Sequence, residues 1–214
     1  MSGDQPSVDP FDLNQQVRQL ALFLSEHGEE SDRVLAMSQL YDLTCDRLVR
    51  YSLSITQRAH DAEDAVSGCI LKVTQRPELL TSADQPWHYL LRMVRNESLI
   101  TLRSRKRWSA LGMIAQVLSS SMVDVVELDD QRRIVWQALE RLPGEQREVI
   151  VLKIWEQLTF AEVAHILQLS PSTVASRYRY AMEKLSNRLS GQMQAEPSAE
   201  LADQEADASV GGGA

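Results

Sequence analysis

Apolar residues recur every three or four positions through most of this chain, and they almost never alternate with polar ones. Helices repeat at 3.6 residues and strands at 2, so the pattern predicts an all-α protein. Helical spacing runs through Leu13–Ser25 and Leu35–Thr56. A further helix opens with Asp61 as its cap, carries Ala65, Val66, Cys69, Ile70 and Val73, and stops before Pro77. Residues 77–86 contain Pro77 and Pro86 and read as a loop. Trp87 to Arg107 reads as one long amphipathic helix, with Trp87, Leu90, Leu91, Val94 and Leu102 on its apolar side. Another begins at Asp129-Asp130 and buries Ile134, Val135, Ala138 and Leu139. Val123–Leu128 is too short and too acidic at its end to be a strand. Residues 1–12 and 191–214 have no such period and are expected to be disordered. The chain therefore divides into an N-terminal acidic extension (1–32), a helical domain (33–107), a linker (108–128), a second helical domain (129–190) and an acidic tail (191–214).

Leu142 to Leu189 carries the most specific local signal. Thr159 and Glu162 stand in capping-box spacing, so Thr159 opens a helix whose apolar stripe is Val163, Ala164, Ile166 and Leu167. Gln168-Leu169-Ser170 is the turn. Gln168 stands where such turns favour glycine, and a left-handed non-glycine residue costs about 1 kcal/mol. Ser170 suits the cap and Pro171 the first position of the next helix. Val174, Tyr178, Ala181 and Leu185 form its buried stripe, leaving Ser172, Thr173, Ala175, Ser176, Arg177 and Arg179 towards solvent. Hydroxyls and cations at the start of the second helix of a helix-turn-helix are what base edges and phosphates require. An ordinary helical hairpin would show the same apolar spacing, so the exposed side chains carry the argument.

The helix Trp87–Arg107 adds a second such face. Arg92, Arg95, Asn96, Arg103, Lys106 and Arg107 lie opposite its apolar stripe. Between Arg95 and Arg107 the only acid is Glu97. A helix that merely needs solubility mixes signs through i,i+4 pairs; a nearly acid-free ridge fits phosphate contact better. The total charge of −8 by itself opposes this. Its partition does not: residues 1–36 and 191–214 each carry net −5, which leaves +2 on residues 37–190. The local field governs a DNA contact, and the acidic ends would weaken nonspecific binding.

Other chemistry is not indicated. Cys45 and Cys69 sit inside helical patterns as free thiols, in keeping with a reducing cytoplasm. His27, His60, His88 and His165 make no metal-ligand spacing with either cysteine. There is no phosphate-binding glycine loop and no nucleophile elbow, so no catalytic residue, metal or cofactor is expected. No apolar run approaches membrane length, and membrane insertion is not expected.

Four motifs in order resemble the sigma-70 family of bacterial RNA polymerase sigma factors, in its small two-domain extracytoplasmic-function (ECF) type. They are Asp61-Ala62-Glu63-Asp64-Ala65-Val66; Trp87-His88-Tyr89-Leu90-Leu91-Arg92-Met93-Val94-Arg95-Asn96; Leu142-Pro143 with Gln146-Arg147-Glu148-Val149; and Thr173-Val174 with Ser176-Arg177. The resemblance covers residues 37–190. It implies a non-enzymatic subunit that docks on core RNA polymerase through Asp61, Glu63, Asp64 and Val66. Arg92, Arg95, Asn96, Arg103, Lys106 and Arg107 would hold the minus-ten promoter element, with Trp87 or Tyr89 as a stacking platform for an unpaired base. Ser172, Thr173, Ser176, Arg177 and Arg179 would meet the minus-thirty-five element. The resemblance also makes an anti-sigma factor a candidate partner.

The chain departs from the family at Ser67-Gly68-Cys69-Ile70, at Ile100, at Ala175 where lysine is frequent, and in the loop Pro77–Gln85. These departures leave open a sigma-derived adaptor that binds a protein partner without supporting initiation. A stand-alone helix-turn-helix repressor would account for the C-terminal half only.

Overall fold

A computed structural model describes residues 10–25, 29–110 and 130–193. The expectations for the segment 111–128 and for most of the acidic tail lie outside the described residues. Every described element is helical: α1 (Pro10–Ser25), α2 (Glu30–Thr56), α3 (Ala59–Gln75), α4 (Glu78–Thr81), α5 (Pro86–Ala110), α6 (Asp130–Glu140), α7 (Gly144–Ile150), α8 (Phe160–Leu167) and α9 (Pro171–Met193). The all-α reading holds.

The first domain packs α2, α3 and α5 around Leu40, Leu48, Tyr51, Val66, Cys69, Val73, Trp87, Leu90, Leu91 and Val94, all buried. α1 starts at Pro10, inside the stretch expected to lack order, because Leu13, Val17, Ala21 and Leu24 extend one apolar face onto this core. Two polar ties fix it there. The Arg18 guanidinium donates to the carbonyls of Thr81, Ala83 and Asp84 at 3.2, 2.7 and 2.9 Å. Asn14 Oδ1 accepts the Trp87 amide at 2.9 Å, and so satisfies one of the orphan N–H groups that every helix start leaves. α4 supplies one turn of helix within the expected 77–86 loop.

Asp61 does not cap α3. Arg58 holds the N-cap position without a side-chain bond, and Asp61 lies in the first turn, where it accepts from Arg105 Nη1 at 2.6 Å. Gly68 lies in the interior of α3, and a Cβ there would meet nothing within 4 Å. Gly68→Ala is therefore expected to stabilise the first domain by about 1 kcal/mol, read as a raised urea midpoint with an unchanged slope.

Tyr51 to Thr56, the last turn and a half of α2, are buried on every side. A helix lying on one core would show an exposed face; this one has neighbours all round. Its terminal carbonyls have no helical partner. Gln57, at φ 57°, turns back so that its amide meets the Leu53 carbonyl at 2.9 Å. Arg105 Nη2 donates to the Thr56 carbonyl at 3.2 Å, and Arg147 Nε to the Ser54 carbonyl at 2.5 Å. Two cations thus sit at the negative end of the α2 dipole. Arg147 comes from the second domain.

That domain gathers Ala138, Leu139, Leu142, Ile150, Ala181 and Leu185 from α6, α7 and α9, with Trp136 and Trp155 stacked at 5.7 Å. α7 runs on into a π-helical turn, Val151–Trp155. Towards its end the polarity inverts: Ile154, within the turn, is 45% exposed, while Glu156, just after it, is 0% exposed. The two domains share one continuous apolar cluster, which includes Trp87 and Leu90 on one side and Leu152, Leu158 and Val163 on the other.

Candidate nucleic-acid interface

The helix-turn-helix forms as its local chemistry dictates. The Thr159 amide donates to Glu162 Oε2 at 2.7 Å, and the Glu162 amide donates back to Thr159 Oγ1 at 3.3 Å. Val163, Ala164, Ile166 and Leu167 are buried. Gln168 adopts the left-handed conformation, φ 57° and ψ 48°, that the missing glycine made costly. Ser170 Oγ accepts the Thr173 amide at 3.1 Å and caps α9. Val174 and Ala181 are fully buried, Leu185 nearly so, and Tyr178 packs edge-on against Phe160 at 5.4 Å.

The first turns of α9 present Ser172, Ser176 and Arg179 to solvent, while Thr173 and Arg177 are half-buried. Ser170 Oγ lies 2.9 Å from Ser172 Oγ and 2.8 Å from Thr173 Oγ1, so these hydroxyls form one local cluster. Arg177 Nη2 pairs with Glu145 Oε2 at 2.5 Å. The Arg179 guanidinium lies 5.1 Å from the centre of the exposed Tyr180 ring.

On α5, Asn96, Arg103, Lys106 and Arg107 are exposed along one run of the helix. Glu97, the acid within the ridge, pairs with Lys72 of α3. Two members of the predicted set are engaged elsewhere. Arg92 lies over the Tyr89 ring at 5.5 Å. Arg95 Nε donates to Glu148 Oε2 of α7 at 2.7 Å; burial opposes its charge, yet Glu148 holds its pKa above the usual arginine value. Trp87 is fully buried in the core, with Arg47 5.4 Å from its ring centre. It cannot meet a base in this arrangement. Tyr89 is half-exposed.

The acidic motif at the start of α3 divides similarly. Glu63 and Asp64 are exposed, and His60 Nε2 lies 3.6 Å from Asp64. Asp61 is held by Arg105, and Val66 is a core residue. Sequence periodicity placed Val66 correctly in the apolar stripe of the helix, so any part it has in docking runs through packing.

His88 follows Trp87 into the boundary between α5 and α8. It is buried, and its Nε2 lies 3.8 Å from Glu162 Oε1, too far for a hydrogen bond. Burial lowers its pKa from the ordinary imidazole value; Glu162 works the other way, and His165 adds to the lowering. The folded state thus prefers neutral His88. Its contribution is complete above about pH 6.5, the unfolded imidazole value, and is lost as pH falls through the lower folded value. Glu162 is also depressed: burial alone would raise it, but the Thr159 hydrogen bonds and His88 outweigh burial. Its own loss belongs to the carboxylate range, below that of His88. Between pH 7 and 5.5 the wild-type urea midpoint should therefore fall more than that of His88→Gln. Equal slopes in the two proteins would remove His88 from the account.

Among the described residues no group of histidine, cysteine and acidic side chains is arranged to hold a metal. Both cysteines are free thiols, and burial pushes the Cys69 thiol up to about 12. None of the described helices is long and apolar enough to cross a membrane.

Comparison with known proteins adds to this geometry. Residues 40–108 match the model of sigma-70 region 2, and residues 132–185 match that of sigma-70 region 4. The chain is 30% identical to the ECF RNA polymerase sigma factor SigL of Mycobacterium tuberculosis H37Rv over 161 residues, 74% of this chain and 91% of that protein. The chain is an ECF sigma factor of the sigma-70 family. It is also 30% identical to the ECF sigma factor SigK of Mycobacterium ulcerans over 184 residues, 83% of this chain and 94% of that one. Two solved structures share its fold. The sigma factor RpoE of Bartonella quintana, crystallised with the anti-sigma factor NepR, superposes with a TM-score of 0.58 at 23% identity, covering 72% of this chain and 96% of that one. CnrH, in complex with the cytosolic domain of CnrY, gives 0.54 at 21%, covering 82% and 98%. The cationic face of α5 thus lies in region 2, and the helix-turn-helix lies in region 4. α1 lies outside both matched segments, and sequence periodicity alone identified it as a helix.

Proposed function

We propose that this sigma factor binds core RNA polymerase and directs initiation at its own set of promoters in the cytoplasm. The observation that carries this reading is the pairing, on one chain of this family, of two exposed surfaces whose chemistry suits DNA. One is the exposed run Asn96, Arg103, Lys106 and Arg107 of α5. The other is the exposed hydroxyl and cation set at the start of α9. The first suits the minus-ten element, where phosphate contacts fix register while unpaired bases are captured. The second suits a major groove at the minus-thirty-five element. Glu63 and Asp64 supply the accessible part of the polymerase-docking motif. The chain brings no catalytic group to the reaction; the polymerase does the chemistry. An anti-sigma factor is a further partner in this reading, as the solved relative RpoE was crystallised with one.

The deciding experiment adds the purified chain to core polymerase and maps transcripts from a genomic promoter library. Discrete starts that share two spaced upstream elements are expected. Core binding without starts would overturn the initiation reading in favour of a sigma-derived adaptor, to which the Ser67–Ile70 departure points.

A further inference from the structure

α1 lies outside both matched segments of the family, yet it grips a stretch of the first domain that has little packing of its own. Between Leu80 and Pro86 no residue is buried: Ser82, Asp84 and Gln85 are exposed, and Thr81 and Ala83 are half-buried. The amides of Ser82 and Ala83 reach back to the Glu78 and Leu80 carbonyls at 3.1 and 3.3 Å. The carbonyls of Thr81, Ala83 and Asp84 are collected by Arg18 of α1, at 3.2, 2.7 and 2.9 Å. A guanidinium is a rigid planar fork, so three bonds from its two terminal nitrogens fix three peptide groups at once. Asn14 acts just beyond them, where its Oδ1 accepts the Trp87 amide at 2.9 Å and caps α5 from another helix. The Gln85 carbonyl in turn accepts the Tyr89 amide at 3.0 Å, so the place of Tyr89 follows from the segment before it.

These ties are unequal in what they hold. α1 is already anchored by Leu13, Val17, Ala21 and Leu24 in the core. The segment it grips has no such anchor, so the ordering effect of Arg18 falls on the segment. We propose that α1 is a brace for base capture, with Arg18 and Asn14 as positioning residues that hold Thr81–Gln85 and the first turn of α5 so that Tyr89 meets an unpaired minus-ten base in a preset place. The inference rests on the functional reading above. Arg18 and Asn14 need not touch DNA; they act through the segment and through Tyr89. A base that has left the stack gains most from a surface already in place, because a surface ordered only on capture gives back affinity to that ordering.

The test uses the full chain, Arg18→Gln and Asn14→Ala, each also combined with Tyr89→Ala. Amide hydrogen exchange across Ser82–Tyr89 is measured on the free protein. With core polymerase, affinity is measured for a promoter recovered by the transcript map above and held unpaired across the minus-ten element by mismatches. Arg18→Gln is expected to speed exchange in this segment and to weaken binding of the unpaired fragment about tenfold, the equivalent of ordering about one residue at each capture. Asn14→Ala should act in the same direction. Affinity for core polymerase and helicity by circular dichroism should stay at the parent values. In the Tyr89→Ala background the loss should nearly vanish, because residues that act through one another are not additive. An arginine that only stabilises the fold would lower the urea midpoint and leave binding of the unpaired fragment untouched. Unchanged exchange, unchanged binding of that fragment, or an equal loss with and without Tyr89 overturns the brace. Exchange does not depend on sigma activity. Faster exchange in the variants, with no initiation by the wild type, would keep the grip of α1 on the segment and overturn the functional reading. Normal wild-type initiation with unchanged exchange would do the reverse.

Discussion

Arg103→Gln, Lys106→Gln and Arg107→Gln together are expected to weaken promoter binding by the polymerase complex about ten- to a hundredfold at about 0.1 M salt, and to flatten its salt dependence. Each phosphate contact on duplex DNA contributes about 0.9 to the slope of log affinity against log salt, so the triple variant should lose nearly 3 units of slope. All three side chains are exposed. Their removal should leave stability within about 0.5 kcal/mol of the parent. Fluorescence anisotropy on a fixed promoter fragment across a salt series measures both quantities, and an unchanged slope would sink the assignment of α5 to phosphate.

Arg105 is the internal control. It belongs to the same basic run but donates to Asp61 and to the Thr56 carbonyl. Replacing it by glutamine should leave the buried Thr56 carbonyl and the half-buried Asp61 short of a donor and cost about 1–3 kcal/mol of stability. The salt slope should stay close to that of the parent. One helix thus carries two kinds of arginine, and only the neighbours of each decide which kind it is.

That distinction marks the limit of what the sequence made legible. The capping box of Thr159 and Glu162, the strained Gln168 and the apolar stripes of α8 and α9 were readable because each depends on residues within four positions. Asp61 was misread as a cap for the same reason: locally it has the right chemistry, but Arg105, 44 residues away, claims it. The contacts of Glu156 with α2 and of Arg18 with the segment before α5 span 106, 109 and up to 66 residues. No periodicity encodes such pairings. The order in α1 was legible in its apolar spacing from Leu13 onward, but its Pro10 start was not, because proline and the neighbouring acids read as loop composition.

Trp87 and Tyr89 were equal candidates for stacking on an unpaired base, and the fold separates them. Trp87→Ala removes a fully buried indole at the centre of the first domain and is expected to cost about 3–5 kcal/mol, enough to unfold that domain in mild denaturant. Tyr89→Ala should cost less stability than Trp87→Ala, because its ring is half-exposed, packs only against the edge of the core and lies 5.5 Å from the Arg92 guanidinium. On the proposed function its effect is expected on DNA opening, where stacking of one base on an aromatic ring contributes about 1–3 kcal/mol, or roughly ten- to a hundredfold in the population of melted promoter. Permanganate reactivity of unpaired thymines, measured with core polymerase, reads that population directly. Trp87→Phe keeps an aromatic ring in the core and should open the promoter as the parent does. A folded Trp87→Phe that fails to melt DNA, beside a Tyr89→Ala that succeeds, would mean that the domain opens around Trp87 when DNA binds. The base platform would then be the buried ring rather than the exposed one.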